Sequence, residues 1–270
     1  MSTPLERASA QRPGTVRASV MTHLVLGYPT PGVDEEIARA LVQGGASFLE
    51  VQFPYSDPTA DGPAIQEACR TALDEGFRVD HGFEVVRRLT ALEVPIFVMC
   101  YAGLAFARGI GRFVADAAAA GARGLIVPDL PVDSDEGLYR FAREAGLTAV
   151  PVTVATAAPQ RLDALRHVSP EYLYVALRAG TTGGETILSP ESISFLERAR
   201  DVAGHVMGGF GIRSRSDVEA VTAHCDTAVV GSAIVRAVRD AWGAAGSRTA
   251  AAAAAKHLVR HLVFGESVAD

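Results

Sequence analysis

Eight short β-rich runs alternate with longer helical stretches along this chain, and that alternation leaves few folds open. The runs cover residues 19–26, 48–53, 95–101, 124–127, 148–153, 172–177, 205–208 and 227–230. Helical spacing recurs between them. In 135–145, for example, Leu138, Phe141, Ala142 and Ala145 repeat at the i, i+3, i+4, i+7 positions of a helix with one buried face. Glycines at 44–45, 121, 146 and 204 stand where a helix must stop before the next strand. Strict βα alternation predicts a parallel sheet with helical crossovers. Eight such units in about 250 residues predict an α/β fold of the closed (β/α)8 TIM-barrel type, with an open doubly wound sheet as the alternative. Two segments are extra helices, 82–92 after a helix at 63–75, and an Ala-rich tail at 248–263 that covers the barrel. A single barrel domain over 18–270 is expected to follow a flexible polar segment at 1–17.

The run Glu50-Val-Gln-Phe-Pro-Tyr-Ser-Asp-Pro-Thr-Ala-Asp61 places two carboxylates at the two ends of a strand-to-helix turn. Side chains alternate across a strand, so Leu49, Val51 and Phe53 share one face and Glu50 takes the other. A lone Glu in so apolar a setting is costly to ionise, which suits a general acid/base. The plain structural alternative is a Glu paired with a buried Arg or Lys. Asp61 lies on the following loop, whose prolines define its course while letting it move as a unit.

Three glycine-rich loops follow the last three strands: Arg178-Ala-Gly-Thr-Thr-Gly-Gly184, Gly209-Phe-Gly211 and Gly231-Ser232. Glycine lets the backbone approach a phosphate closely, and amides at a helix N-terminus favour anions. One Gly-Ser pair is usually a turn or a cap. Three such loops after consecutive late strands point to a phosphate site, where barrels of this class often carry one.

Bulk properties narrow the partners. The 270 residues are 49% apolar and 21% charged, with a net charge of −6 and no basic run, which argues against nucleic acid. Cys69, Cys100 and Cys225 show no metal-ligand spacing and suit a reducing compartment. Without a signal-like core or a run long enough to span a bilayer, a cytoplasmic location is expected.

Phe-Leu-Glu50-Val-Gln-Phe-Pro-Tyr-Ser-Asp-Pro-Thr-Ala-Asp61-Gly-Pro-Ala-Ile-Gln66 resembles the signature of the tryptophan synthase alpha chain family. The likeness extends to Tyr174, Arg178–Gly183, Gly209–Ile212 and Gly231–Val235, and covers roughly 22–236. It implies a TIM barrel that cleaves indole-3-glycerol phosphate to indole and glyceraldehyde 3-phosphate without cofactor or metal. It further implies Glu50, Asp61 and Tyr174 as catalytic residues, with Met99, Asp129, Thr182 and Phe210 binding substrate. Gly183, Gly211, Gly231 and Ser232 are the implied phosphate binders. Asp129 supports the site rather than reacting. The implied partner is a pyridoxal-phosphate beta subunit in an alpha2beta2 tetramer. A stand-alone lyase and a non-catalytic activator of a beta subunit are the competing readings.

Three positions depart from the family pattern. Gln52 stands where Gly is common; it shares a face with Glu50 and is expected to bond to it or to narrow the pocket. His23 stands where a Phe is common, and a strand His is more often a satisfied core residue than a catalytic one. Gly103 replaces a frequent Asn in a loop that lies near the partner in the family.

Overall fold

Runs of β-branched, aromatic and small apolar residues with little charge form strands here because almost every position is buried on both faces, as a parallel sheet under helices requires. The computed structural model describes residues 18–168, 170–177 and 188–266. Its strands are β1 (Val20–Val25), β2 (Phe48–Gln52), β3 (Ile96–Met99), β4 (Gly124–Ile126), β5 (Thr148–Val150), β6 (Val152–Val154), β7 (Tyr172–Ala176), β8 (His205–Gly209) and β9 (Thr227–Val230). All pair in parallel, in the order β5-β4-β3-β2-β1-β9-β8-β7-β6, to make a nearly closed TIM barrel.

The ninth strand corrects the sequence reading. A single strand was expected over 148–153, and Pro151 divides it. Proline has no N–H to give to a ladder. The chain therefore changes neighbours there: β5 pairs with β4, and β6 pairs with β7. The Pro151 carbonyl still accepts from the Tyr174 N–H at 3.0 Å. One bent strand thus serves as the eighth stave.

The helices around the barrel are α1 (Asp34–Gly44), α2 (Pro63–Asp74), α3 (Val79–Leu89), α4 (Ala102–Arg108), α5 (Ile110–Ala119), α6 (Leu138–Glu144), α7 (Pro159–Arg166), α8 (Pro190–Ala199), α9 (Arg215–Thr222), α10 (Ser232–Ala245) and α11 (Arg248–Phe264). Gly45, Gly121 and Gly146 take positive φ just past α1, α5 and α6, as helix-ending glycines do. Gly204 does not; it lies well beyond the end of α8. α6 begins later than its periodicity suggests. Glu136 and Gly137 have φ of 49° and 86°, and the Asp135 carboxylate accepts from the N–H groups of Gly137 and Tyr139. The extra helix after α2 spans Val79–Leu89 and continues as a short 3₁₀ turn at Thr90–Leu92. The tail helix α11 buries Ala251, Ala255 and Val259. A Cβ added to Gly44 would stand 2.8 Å from Val259 Cβ, so α1 and α11 meet almost backbone to side chain.

The two faces of the strands build two cores. Outward residues such as Leu49, Val51 and Phe53 pack under the helices. Inward residues include Met21, Phe48, Phe97, Met99, Ile126, Tyr172, Tyr174, Met207 and Val229. At the N-terminal end of the barrel, Phe48, Phe97, Tyr172 and His205 close the floor, with ring centroids 5.1–6.5 Å apart. Above that floor the interior opens.

Candidate active site

The opening is a cavity of about 290 Å³ at the C-terminal ends of the strands. Strand parity supplies its wall: His23, Glu50, Met99, Ile126, Val152, Tyr174 and Val229 all point inward. The loop after β2 adds Thr59, Ala60 and Asp61. The loops after β8 and β9 add Phe210, Gly211, Gly231 and Ser232. Glu50 and Asp61, remote from water at 6% exposure each, therefore border the same space.

Glu50 is not alone, and among the described residues its partner is neither Arg nor Lys. β1 and β2 run in a register that sets His23 beside Glu50, and His23 Nδ1 lies 2.7 Å from Glu50 Oε2. Burial disfavours a charged imidazole here, but the hydrogen bond to Glu50 and the charges of Glu50 and Asp61 outweigh it, so the His23 pKa is raised. Asp61 has its own donors. Gln52 Nε2 and Tyr101 Oη each donate to Asp61 Oδ2 at 2.8 Å. Gln52 thus bonds to Asp61, not to Glu50 as its strand face suggested. Burial raises the Asp61 pKa, while His23, Tyr101 and Gln52 pull it back. Burial likewise pushes the Tyr174 phenol well above its usual range, helped by the Glu50 and Asp61 carboxylates.

The loop carrying Asp61 is held from below. Tyr101 Oη accepts from the Ala60 N–H at 3.1 Å, and Gln66 Nε2 donates to the Asp61 carbonyl at 2.9 Å. Tyr55 stacks on Tyr101 with centroids 5.4 Å apart and planes 15° from parallel. Tyr55 fits because residue 103 is Gly: a Cβ there would lie 3.0 Å from Tyr55 Cζ and nearer still to its hydroxyl. A second glycine makes room for Tyr174. A Cβ on Gly209, two residues past Met207 on β8, would stand 2.8 Å from Tyr174 Cζ. Asp129 does not border the cavity. Its Oδ1 accepts from the Ala102 N–H at 2.9 Å and so caps α4.

The α10 side of the cavity suits an anion. Gly231 and Ser232 begin α10, a helix of 14 residues whose first amides have no carbonyl partner within the helix. Gly211 (φ 86°) and Phe210 (φ 84°) bring a tight turn against them, and the Phe210 ring meets Tyr174 edge-on at 6.2 Å. A non-glycine residue at positive φ is uncommon and clusters at functional sites. No Lys or Arg lines the cavity among the described residues, so main-chain amides and the helix dipole are what an anion would meet there. Thr182 and Gly183 lie outside the described residues. Among the described residues no cluster of His, Cys, Asp and Glu is arranged to hold a metal.

The model of the family described as tryptophan synthase alpha chain matches residues 10–263. A tryptophan synthase alpha chain of Desulfotalea psychrophila is 36% identical over 221 residues, covering 81% of this chain and 87% of that one. One from Methanosarcina acetivorans is 35% identical, covering 83% and 82%. This chain belongs to the tryptophan synthase alpha chain family. Solved structures agree. Tryptophan synthase of Mycobacterium tuberculosis superposes with a TM-score of 0.80 at 31% identity, covering 92% of this chain and 94% of that one. The tryptophan synthase A-subunit of Pyrococcus furiosus gives 0.81 at 28% identity, covering 91% and 98%.

Within this family member, the structure brings Glu50, Asp61, Tyr174, Met99, Phe210, Gly211, Gly231 and Ser232 to one cavity. Sequence reasoning did not single out Tyr101 or Gly209. Tyr101 follows Met99 by two residues and shares its inward parity, which is a readable signal. Gly209 was read as part of a phosphate loop, and only the position of Tyr174 reveals its steric role.

Proposed function

We propose that this chain is the alpha subunit of tryptophan synthase and cleaves indole-3-glycerol phosphate to indole and glyceraldehyde 3-phosphate. As a member of its family it is a carbon–carbon lyase of tryptophan biosynthesis. The observation that carries the specific reaction is the shared cavity, whose wall holds both two buried carboxylates and the N-terminus of α10.

The chemistry follows from what must move. The bond between indole C3 and the side chain breaks only if the ring accepts its electrons, which protonation at C3 permits. Glu50 takes the proton from the hydroxyl on the adjacent side-chain carbon and delivers a proton to C3. As that carbon–carbon bond breaks, its electron pair restores the indole and the side-chain carbon becomes the aldehyde. Asp61 accepts a hydrogen bond from the indole N–H and stabilises positive charge building on the ring. Tyr174 lines the same cavity as both carboxylates. The phosphate rests on the amides of Gly211, Gly231 and Ser232.

The relatives' name and the solved complexes support a beta subunit as partner, and we place this chain with a pyridoxal-phosphate beta subunit in an alpha2beta2 tetramer of the cytoplasm. No helix among the described residues is long and apolar enough to cross a membrane. Turnover of indole-3-glycerol phosphate by the purified chain, with and without a beta chain, tests the reading. The partner should raise turnover, and Glu50→Gln should lose at least on the order of a hundredfold in kcat with phosphate binding kept. Full activity alone with no response to the partner supports the stand-alone lyase. Equal stimulation of the partner by wild type and Glu50→Gln, with no cleavage by either, supports the non-catalytic activator.

A further inference from the structure

Two buried side chains at the site carry polar atoms that meet no hydrogen-bond partner, His23 Nε2 and Gln52 Oε1. Leaving such an atom unpaired away from water is costly, and it persists where it has a use. Each side chain already holds one of the two carboxylates: His23 holds Glu50 at 2.7 Å and Gln52 holds Asp61 at 2.8 Å. The Gln52 side chain also favours the protonated form of His23. The four residues therefore stand as two bonded pairs, Glu50–His23 and Gln52–Asp61, along β1, β2 and the loop that follows.

The number of donors on the imidazole decides whether the two pairs join. A neutral ring donates from one nitrogen, and a protonated ring from both. Protonated His23 gives Nδ1–H to Glu50 and has Nε2–H to offer Gln52 Oε1, which removes both orphaned atoms at once. We infer that His23 and Gln52 are positioning residues that tie Glu50 and Asp61 into one hydrogen-bonded unit, joined by the proton on the imidazole. With Oε2 tethered, Glu50 presents its other oxygen to the ligand in a fixed place, as a residue that must both take and return a proton requires. A positive charge set between two carboxylates also lets them share one small apolar cavity. The inference rests on the proposed lyase reaction at Glu50 and Asp61.

The charged groups acting on His23 are Glu50 from β2 and Asp61 from the loop after it, with the neutral amide of Gln52 beside them. Tyr174 from β7 lines the same cavity and feels the charge of both carboxylates. From the start of α10, Gly231 approaches the His23 side chain without a charge. The unit is intact when His23 is protonated and comes apart as pH rises through its raised value.

The test measures kcat and KM for indole-3-glycerol phosphate on the full chain with a tryptophan synthase beta chain, from about pH 6 to pH 9. His23→Phe keeps a ring of similar size and removes both nitrogens. It should lower kcat at least on the order of tenfold, change KM less than about threefold, and abolish the alkaline fall in the profile. His23→Asn keeps a donor where Nδ1 stands and cannot titrate. It should recover most of the turnover but not the alkaline limb. Gln52→Met should shift that limb to lower pH. The inference is overturned if His23→Phe matches wild type in both kcat and profile, or if His23→Asn is as impaired as His23→Phe. A ¹⁵N NMR titration of the His23 ring gives an independent reading, whose midpoint should fall in Glu50→Gln. An unchanged midpoint refutes the tie between the two residues. Absence of cleavage by wild type sinks the lyase reading instead, while the NMR titration still decides the hydrogen-bonded unit.

Discussion

The space behind Tyr174 offers a test in which a single methyl group decides the outcome. Gly209→Ala would set a Cβ 2.8 Å from Tyr174 Cζ and 3.1 Å from its Cε1, with the hydroxyl closer still. Carbon atoms rest at about 3.5–4.0 Å, so the ring must retreat by ~1 Å. Tyr174 is buried and meets Phe210 edge-on, so the retreat disturbs that contact and pushes the ring into the cavity. Gly209 does not use a positive φ, so the backbone accepts alanine and the whole effect is steric. Overpacking of this kind costs about 1–3 kcal/mol. The urea midpoint should therefore fall by on the order of 0.5–1 M. A ~1 Å displacement of a group that shares the cavity wall with both carboxylates should lower kcat by roughly a hundredfold. Adding Tyr174→Phe to Gly209→Ala removes the nearest contact but leaves Cζ in place, so only part of the stability should return. Wild-type midpoint and turnover in Gly209→Ala would refute this account of the wall.

Three further outcomes follow from the geometry. A Cβ on Gly231 would make only ordinary contacts, 3.5 Å from Ile65 Cδ1 and 3.7 Å from His23 Cβ. Gly231→Ala should thus fold normally yet weaken competitive inhibition by inorganic phosphate, and an unaltered inhibition constant would remove residue 231 from the anion site. Gly103→Val should unseat Tyr55 from Tyr101 and lower kcat several-fold through Asp61 with little loss of stability; urea melts beside turnover separate the two effects. Because the His23 pKa is raised in the fold, its contribution to stability is complete below the unfolded value of about 6.5 and disappears as pH climbs through the folded value. Denaturation midpoints followed upward from pH 6.5 should therefore decline more in wild type than in His23→Phe, and parallel curves would contradict the raised value.

Much of the architecture could be read before any coordinates because a parallel barrel repeats one local rule. Alternation along 48–53 was enough to separate Glu50 from Leu49, Val51 and Phe53, and the βα rhythm implied closure. Pro151 escaped that reading, since a composition that looks like one strand does not reveal a change of neighbour. The contents of the site divide in the same way. Residues displayed by loop chemistry, such as Gly211, Gly231 and Ser232, announce themselves in sequence. Contacts between strands do not: the pairing of His23 with Glu50 depends on the register of β1 against β2, and the choice of Asp61 by Gln52 depends on where the connection at 53–62 folds back. The α6 start moved for a local reason, because Asp135 captured two amides that a longer helix would have needed.

The aromatic floor has a consequence for how the chain finds its alignment. On β2, β3, β7 and β8 a floor ring sits one pleat below an inward residue of the upper chamber: Phe48 under Glu50, Phe97 under Met99, Tyr172 under Tyr174, His205 under Met207. A stave displaced by one residue would turn itself inside out, while a slip of two would drive a bulky ring into the chamber and drop a carboxylate among the rings below. Either error packs poorly, so the plug is what keeps the residues of the chamber at their proper height.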